Sequence, residues 1–125
     1  GLLEAAPCVA FPSGMAAISA ALISGLQAGK KLILPSDGYY VSRVLAADIL
    51  APYGVVVQEV ATKDFATTDF SGAALVLLET PSNPGLDVVD IAKISERVHA
   101  AGGLVVVDNT TMTPLLRTSG ASMAM

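Results

Sequence analysis

Val88-Val-Asp-Ile-Ala-Lys-Ile-Ser-Glu-Arg-Val-His-Ala-Ala-Gly-Gly-Leu-Val-Val-Val-Asp108 is the stretch that decides the fold class. In its first part Ile91, Ile94, Val98 and Ala101 recur at spacings of three, four and three. That period predicts an amphipathic helix over 88–101. Asp87 is placed to cap its start, and Gly102-Gly103 ends it. The run Leu104–Asp108 then has no polar alternation, the pattern of a strand covered on both faces. A helix feeding a strand of this kind is half of a βαβ unit, and its partners lie upstream.

Lys31–Pro35 and Ala74–Glu79 are further apolar runs between turn residues, and Val55–Val60 is β-branched; all three predict strands. Ser13–Gln27 is Ala-rich and predicts a buried helix, with Ser13 near its N-cap and Gly29 beyond its end. Tyr40–Ala51 predicts a second helix, ended by Pro52 and Gly54, and Thr62–Gly72 is polar and irregular, with room for one helical turn. Strands alternating with helices predict an α/β domain, a mainly parallel sheet with flanking helices in three αβα layers. Ligands of such sheets sit outside the carboxyl ends of the strands. Polar residues gather at those ends here, in Ser36–Tyr39, Glu79–Asn83 and Asp108–Thr110.

The composition bounds what this domain can be. In 125 residues, 53% are hydrophobic and only 14% charged, against roughly 25% charged in an average soluble domain. Disorder is excluded. So much apolar surface instead reads as the inside of something larger, a longer chain or an oligomer. The most apolar stretch, Met15–Leu26, is short and broken by Ser19, Ser24 and Gly25, which argues against a membrane span. Gly1–Phe11 carries Glu4 and Pro7 and no basic start, so it does not read as a secretory signal. A net charge of −4 argues against a nucleic-acid binder, which needs a basic stripe. Cys8 is the lone cysteine; it allows neither an intramolecular disulfide nor a cysteine zinc site and fits a reducing, cytoplasmic setting.

Four features carry possible chemistry. Gly14 opens an uncharged helix whose unpaired amides suit a phosphate, or form an ordinary capped start. Asp108, at the end of a dry strand, needs a partner; a protonated ring nitrogen would serve, as would a local capping role. Glu79 and Asp108 are too few for a metal site, and His99 belongs to the surface of another element. Asn83, between Pro81 and Pro84 in a rigid loop, offers both donor and acceptor, or folds back on its own backbone. Tyr39 is a loop aromatic able to stack on a flat ring or to cover the sheet edge.

Taken in order, Ser13-Gly-Met-Ala-Ala-Ile18, Asp37-Gly-Tyr39, Glu79-Thr-Pro-Ser-Asn-Pro84, Val88-Val-Asp-Ile91 and Val105-Val-Val-Asp-Asn-Thr110 resemble one family across nearly the whole chain. It is the Cys/Met-metabolism group of pyridoxal-phosphate (PLP) enzymes: cystathionine γ-synthase, cystathionine γ-lyase, methionine γ-lyase and the O-acyl-homoserine sulfhydrylases. The resemblance implies the large domain of the PLP-dependent transferase fold (fold type I), with pyridoxal 5'-phosphate as cofactor. It implies that the amides of Gly14 and Met15 hold the phosphate, that Tyr39 stacks on the pyridine ring and that Asn83 bonds the ring hydroxyl. Asp108 would pair with the pyridinium nitrogen, Thr110 would lie close to the ring, and Arg43 is a candidate for facing substrate. An amino-acid substrate, elimination or replacement at its γ- or β-carbon, and a homo-oligomeric dimer of dimers are implied as well.

The sequence also departs from the family. Its Ser-x-Thr-Lys segment, whose lysine forms the Schiff base, is not found before Ser122-Met-Ala-Met125, and Lys30, Lys31, Lys63 and Lys93 lack that context. The stacking-tyrosine motif reads Tyr39-Tyr-Val-Ser-Arg43 rather than Tyr-Gly-Gly-Thr. Residues 1–125 are thus expected to be a partial cofactor-binding domain, without the N-terminal arm, the lysine segment and the C-terminal domain, and inactive alone. A non-catalytic module that binds PLP or phosphate is the alternative. An unrelated nucleotide-binding domain fits poorly, because Pro35-Ser-Asp-Gly38 is not a glycine-rich loop.

Overall fold

The structure, a computed structural model, describes residues 9–112. Cys8 and the tail containing Ser122–Met125 lie outside the described residues. Helix α1 (Gly14–Gly25) leads into β1 (Lys31–Pro35), α2 (Tyr40–Val44) and β2 (Val56–Val60). Strand β3 (Ala73–Glu79), helix α3 (Ile91–Ala100) and strand β4 (Leu104–Asp108) complete the order. The strands form one sheet in the order β2-β1-β3-β4, with every pairing parallel.

Period-two side chains sort the core into two halves. Leu32, Leu34, Leu75, Leu77 and Val106 point to one face and pack with Ile18 and Leu22 of α1, with its C-cap Leu26, and with Ala46 and Leu50. Ile33, Val76, Leu78, Val105 and Val107 point to the other, against Phe65, Phe70, Ile91, Ile94 and Val98. Helices thus cover both faces of a parallel sheet, the three-layer arrangement expected. At roughly 25 cal/mol per Å² of apolar area, residues buried as fully as Leu22, Val76 and Val98 supply the dominant stabilisation.

Local differences from the sequence reading have physical causes. The helix expected to begin at Val88 begins at Ile91, and Asp90, not Asp87, caps it by accepting from the Lys93 amide at 3.1 Å. Asp87 is engaged elsewhere: its amide donates to Ser82 Oγ and its carbonyl accepts from the Ser82 amide. The helix expected over Tyr40–Ala51 is α-helical only to Val44 and then widens into a π turn, Leu45–Leu50, with Ala51 N–H donating to the Ala46 carbonyl. Pro52 has no amide, and its ring crowds the carbonyl four residues back in a regular α-helix. The wider turn brings the chain up to it. The expected turn after Val60 is a 3-10 turn, Thr62–Asp64.

Candidate functional site

The connection from α1 to β1 reverses the chain, so α1 runs antiparallel to the strands and its N-terminus points to their carboxyl edge. Its other end lies over the start of β3, where a Cβ on Gly25 would stand 2.7 Å from Leu75 Cδ1. Of the amides that start α1, Ala16 N–H is taken by Ser13 Oγ at 3.1 Å and Ala17 N–H by the Ser13 carbonyl. Those of Gly14 and Met15 remain as helix-start donors. A Cβ on Gly14 would meet nothing within 4 Å, and the first turn carries no acidic side chain. An open backbone and an uncompensated positive helix end together suit an anion.

Glu79 and Asp108 end β3 and β4 in register with each other. By alternation both face the α1 side of the sheet, the side on which Met15 packs. Asp108 Oδ1 accepts from the amide of Thr110, at 3.0 Å, and from its hydroxyl. Asp108 Oδ2 has no partner among the described residues. Thr110 thus acts first on Asp108, fixing one carboxylate oxygen and leaving the other to present outward.

Asn83 is exposed and makes no hydrogen bond with the described residues, so its local, self-bonded alternative is not realised. Ser82 shapes the loop instead: its amide, carbonyl and hydroxyl bond Asp87 and Leu86. The Thr80–Pro81 and Asn83–Pro84 bonds are cis. Beneath the loop, Thr80 is fully buried with its hydroxyl unpartnered among the described residues, and Asn109 is buried beside Asp108.

Tyr39 starts α2, its ring edge-on to Tyr40 with centroids 5.5 Å apart. Its amide donates to Glu79 Oε2 at 2.6 Å. Burial raises the Glu79 carboxyl above its ordinary range despite that bond, and Asp108 and Asp37 add to the rise by charge repulsion. Asp37 goes the other way. Burial pushes it up, but the Thr62 hydroxyl and amide and the Arg43 charge outweigh burial and hold it low. Glu79's contact has no local sequence signal, since a strand-end Glu reaching 40 residues back leaves no periodic trace.

Gly14, Met15, Tyr39, Asn83, Asp108 and Thr110 therefore all lie at the carboxyl edge. Arg43 lines a groove of about 260 Å³ with Tyr40, Val44, Ala47, Asp48 and Glu59 beside the outer strand β2, its charge acts on Asp37, and its Nε is buried without a hydrogen bond among the described residues. The lysines are elsewhere too. Lys30 and Lys31 stand at the opposite edge, Lys31 Nζ donating to the Ser71 carbonyl, while Lys63 and Lys93 line a recess against α3. Among the described residues there is no group of three or more side chains suited to a metal, and no helix long and apolar enough to cross a membrane.

Comparison with known proteins places this geometry. The chain is 50% identical over 106 residues to a Streptomyces coelicolor protein whose name points to cystathionine gamma-lyase, covering 84% of this chain and 27% of that protein. It is 44% identical over 110 residues to the chloroplastic cystathionine beta-lyase of Mimosa pudica, covering 85% of this chain and 24% of the relative. The crystal structure of a cystathionine gamma-lyase from Micromonospora echinospora superposes with a TM-score of 0.75 at 34% identity, over 91% of this chain and 32% of that one. The chain thus spans about a quarter to a third of the length of these proteins. Residues 1–120 match the family described as Cys/Met metabolism PLP-dependent enzyme, and the chain belongs to that family.

Proposed function

We propose that these residues form the central part of the cofactor-binding large domain of a PLP-dependent lyase or transferase of sulfur amino-acid metabolism. One observation carries the reading: Asp108, with Oδ1 fixed by Thr110 and Oδ2 without a partner among the described residues, shares a sheet face and edge with the first two amides of α1. The residues fit the group. The Gly14 and Met15 amides would hold the phosphate, Tyr39 would cover the ring face, Asn83 would bond the ring hydroxyl, and Asp108 would keep the proton on the pyridine nitrogen. A carboxylate beside that nitrogen favours its protonated form. Bound there, the cofactor supplies an electron sink for negative charge developing on the substrate. Thr110 serves by keeping Asp108 aimed, and Arg43 would meet a substrate only from the α2 side.

On this reading the substrate is cystathionine, cysteine or an activated homoserine, and the reaction is elimination or replacement at its γ- or β-carbon. A cytoplasmic homo-oligomer, a dimer of dimers, goes with it. The exposed Ile23, Tyr53, Val56 and Leu104 support burial in a larger assembly. The positions of the four lysines also favour a second reading for these 125 residues alone, a module that holds PLP or phosphate without chemistry. One assay separates the two. The protein expressed from its complete reading frame, loaded with pyridoxal phosphate, is expected to release α-keto acid and ammonia from at least one of cystathionine, cysteine and O-succinylhomoserine. The 125-residue chain is expected to release none, and borohydride is expected to trap no cofactor on its lysines. Failure of the complete protein on every substrate would overturn the enzyme reading, and turnover by the short chain would overturn the argument from its lysines.

A further inference from the structure

The loop between β1 and α2 is only four residues long, yet it is tied down on both sides. The Ser36 amide donates to the Val60 carbonyl at 2.9 Å, and Asp37 Oδ1 accepts from the amide and hydroxyl of Thr62 at 2.9 and 2.7 Å. Those bonds hold the loop toward β2. On the β3 side one bond does the corresponding work, from the Tyr39 amide to Glu79 Oε2 at 2.6 Å. Tyr39 is the N-cap of α2, so its amide has no carbonyl within the helix to bond. In a capping box a Glu on the helix's own first turn reaches back to this amide. Here the corresponding position is Ser42, and a carboxylate from a neighbouring strand takes its place.

The approach depends on the residue between the two ties. A Cβ on Gly38 would stand 2.5 Å from Glu79 Oε2 and 3.0 Å from Pro35 Cβ, so the carboxylate passes over a bare Cα. Glu79 is in register with Asp108, so this tie references the Tyr39 backbone to the strand position of the carboxylate assigned to the ring nitrogen. We propose that Glu79 is a positioning residue whose carboxylate, by holding the Tyr39 amide, sets the angle at which the Tyr39 ring meets the cofactor ring. The proposal rests on the cofactor reading above, but the tie itself exists without any cofactor.

The test uses the protein from its complete reading frame in two states. In the cofactor-free state, Glu79→Ala is expected to speed hydrogen exchange at the Tyr39 amide by roughly tenfold or more, the loss of one charge-assisted bond. Exchange at Thr62, held by Asp37, stays unchanged. Glu79→Gln, which keeps an acceptor oxygen, restores most of the protection. With pyridoxal phosphate bound, Glu79→Ala is expected to keep the visible absorbance while its circular dichroism falls to about half or less, and Glu79→Gln to recover it. Gly38→Ala, which leaves the carboxylate intact but crowds it off its seat, is expected to reproduce both effects, and it stands in should Glu79→Ala fail to fold. Unchanged Tyr39 exchange overturns the proposal, as does lost protection with an unchanged dichroic band. Absence of any cofactor band from the unsubstituted protein overturns it together with the cofactor reading, and the persisting exchange difference distinguishes that failure from failure of the tie.

Discussion

The two faces of the sheet are built from similar parts to different ends. On the α3 face several polar groups are paired within the chain, the buried Ser95 hydroxyl being left without a partner among the described residues. Asp90 caps the helix, and Arg97 donates to the carbonyls of Phe65, Ala66 and Thr68 while its guanidinium lies 4.9 Å from the centre of the Phe70 ring. On the α1 face, at the carboxyl edge, several groups have no partner among the described residues: the Gly14 and Met15 amides, one oxygen of Asp108 and the exposed Asn83. The α3 face closes the fold, and on the proposed reading the α1 edge is where the cofactor would bind. A difference of this kind teaches where to look for function in a sheet with a buried apolar core on both sides.

The largest expected effect comes from breaking the closed face. Ile94→Ala removes a side chain that is 3% exposed and is expected to cost about 2–5 kcal/mol of stability in denaturant titration. Cofactor affinity of the folded fraction should not change. A comparable loss of affinity would mean that the two faces are not separable. Next is the open edge. Asp108→Asn keeps an acceptor for Thr110, so the fold should hold, while pyridoxal phosphate binding is expected to weaken by roughly ten- to a hundredfold, the loss of a charge-assisted bond. Unchanged affinity would remove Asp108 from the site.

The caps sharpen the contrast at smaller scale. Asp90→Ala and Ser13→Ala each delete one cap bond and are each expected to cost about 1 kcal/mol in thermal or denaturant unfolding. Only Ser13→Ala should alter phosphate binding as well, because the amide it releases, Ala16, adjoins the two already open. Equal behaviour of the two variants toward cofactor would show that the α1 start is an ordinary helix end.

Most of the fold was legible because its signals are local. The Val-rich β4, the period of Ile91, Ile94 and Val98, and the cap at Ser13 each follow from a few consecutive residues. Asp87 misled because Asp87 and Asp90 are equally good caps by type; only the fold shows Ser82 engaging the first and freeing the second. The candidate residues were legible as types at strand ends, and their order carried the family. What joins them was not. The ties from Glu79 to Tyr39 and from Asp37 to Thr62 span 40 and 25 residues and depend on which strands neighbour each other. Arg43 shows the same limit, since its place in the sequence beside Tyr39 gives no sign that it lies along β2.

The smallest effect tests whether the two ties of one loop carry opposite electrostatic characters, as their faces suggest. Asp37 bonds the Thr62 turn that leads into the α3-side core, and its folded carboxyl is held low. A carboxyl depressed on folding contributes stability that is present above its unfolded value and lost as pH falls through the folded one. Glu79 bonds Tyr39 at the open edge and is raised by burial and by its neighbours Asp108 and Asp37. A raised carboxyl contributes stability that is fully present below the unfolded value and is lost as pH rises through the folded one. Asp37→Asn should therefore be less stable than the unsubstituted protein at neutral pH, with the gap closing in acid. Glu79→Gln should match the unsubstituted protein in acid and become slightly more stable as pH climbs past the ordinary glutamate range. Denaturant midpoints measured across that range read both slopes. Two slopes of the same sign would mean that Glu79 is as fully compensated as Asp37, and that the open edge is no less self-satisfied than the face behind it.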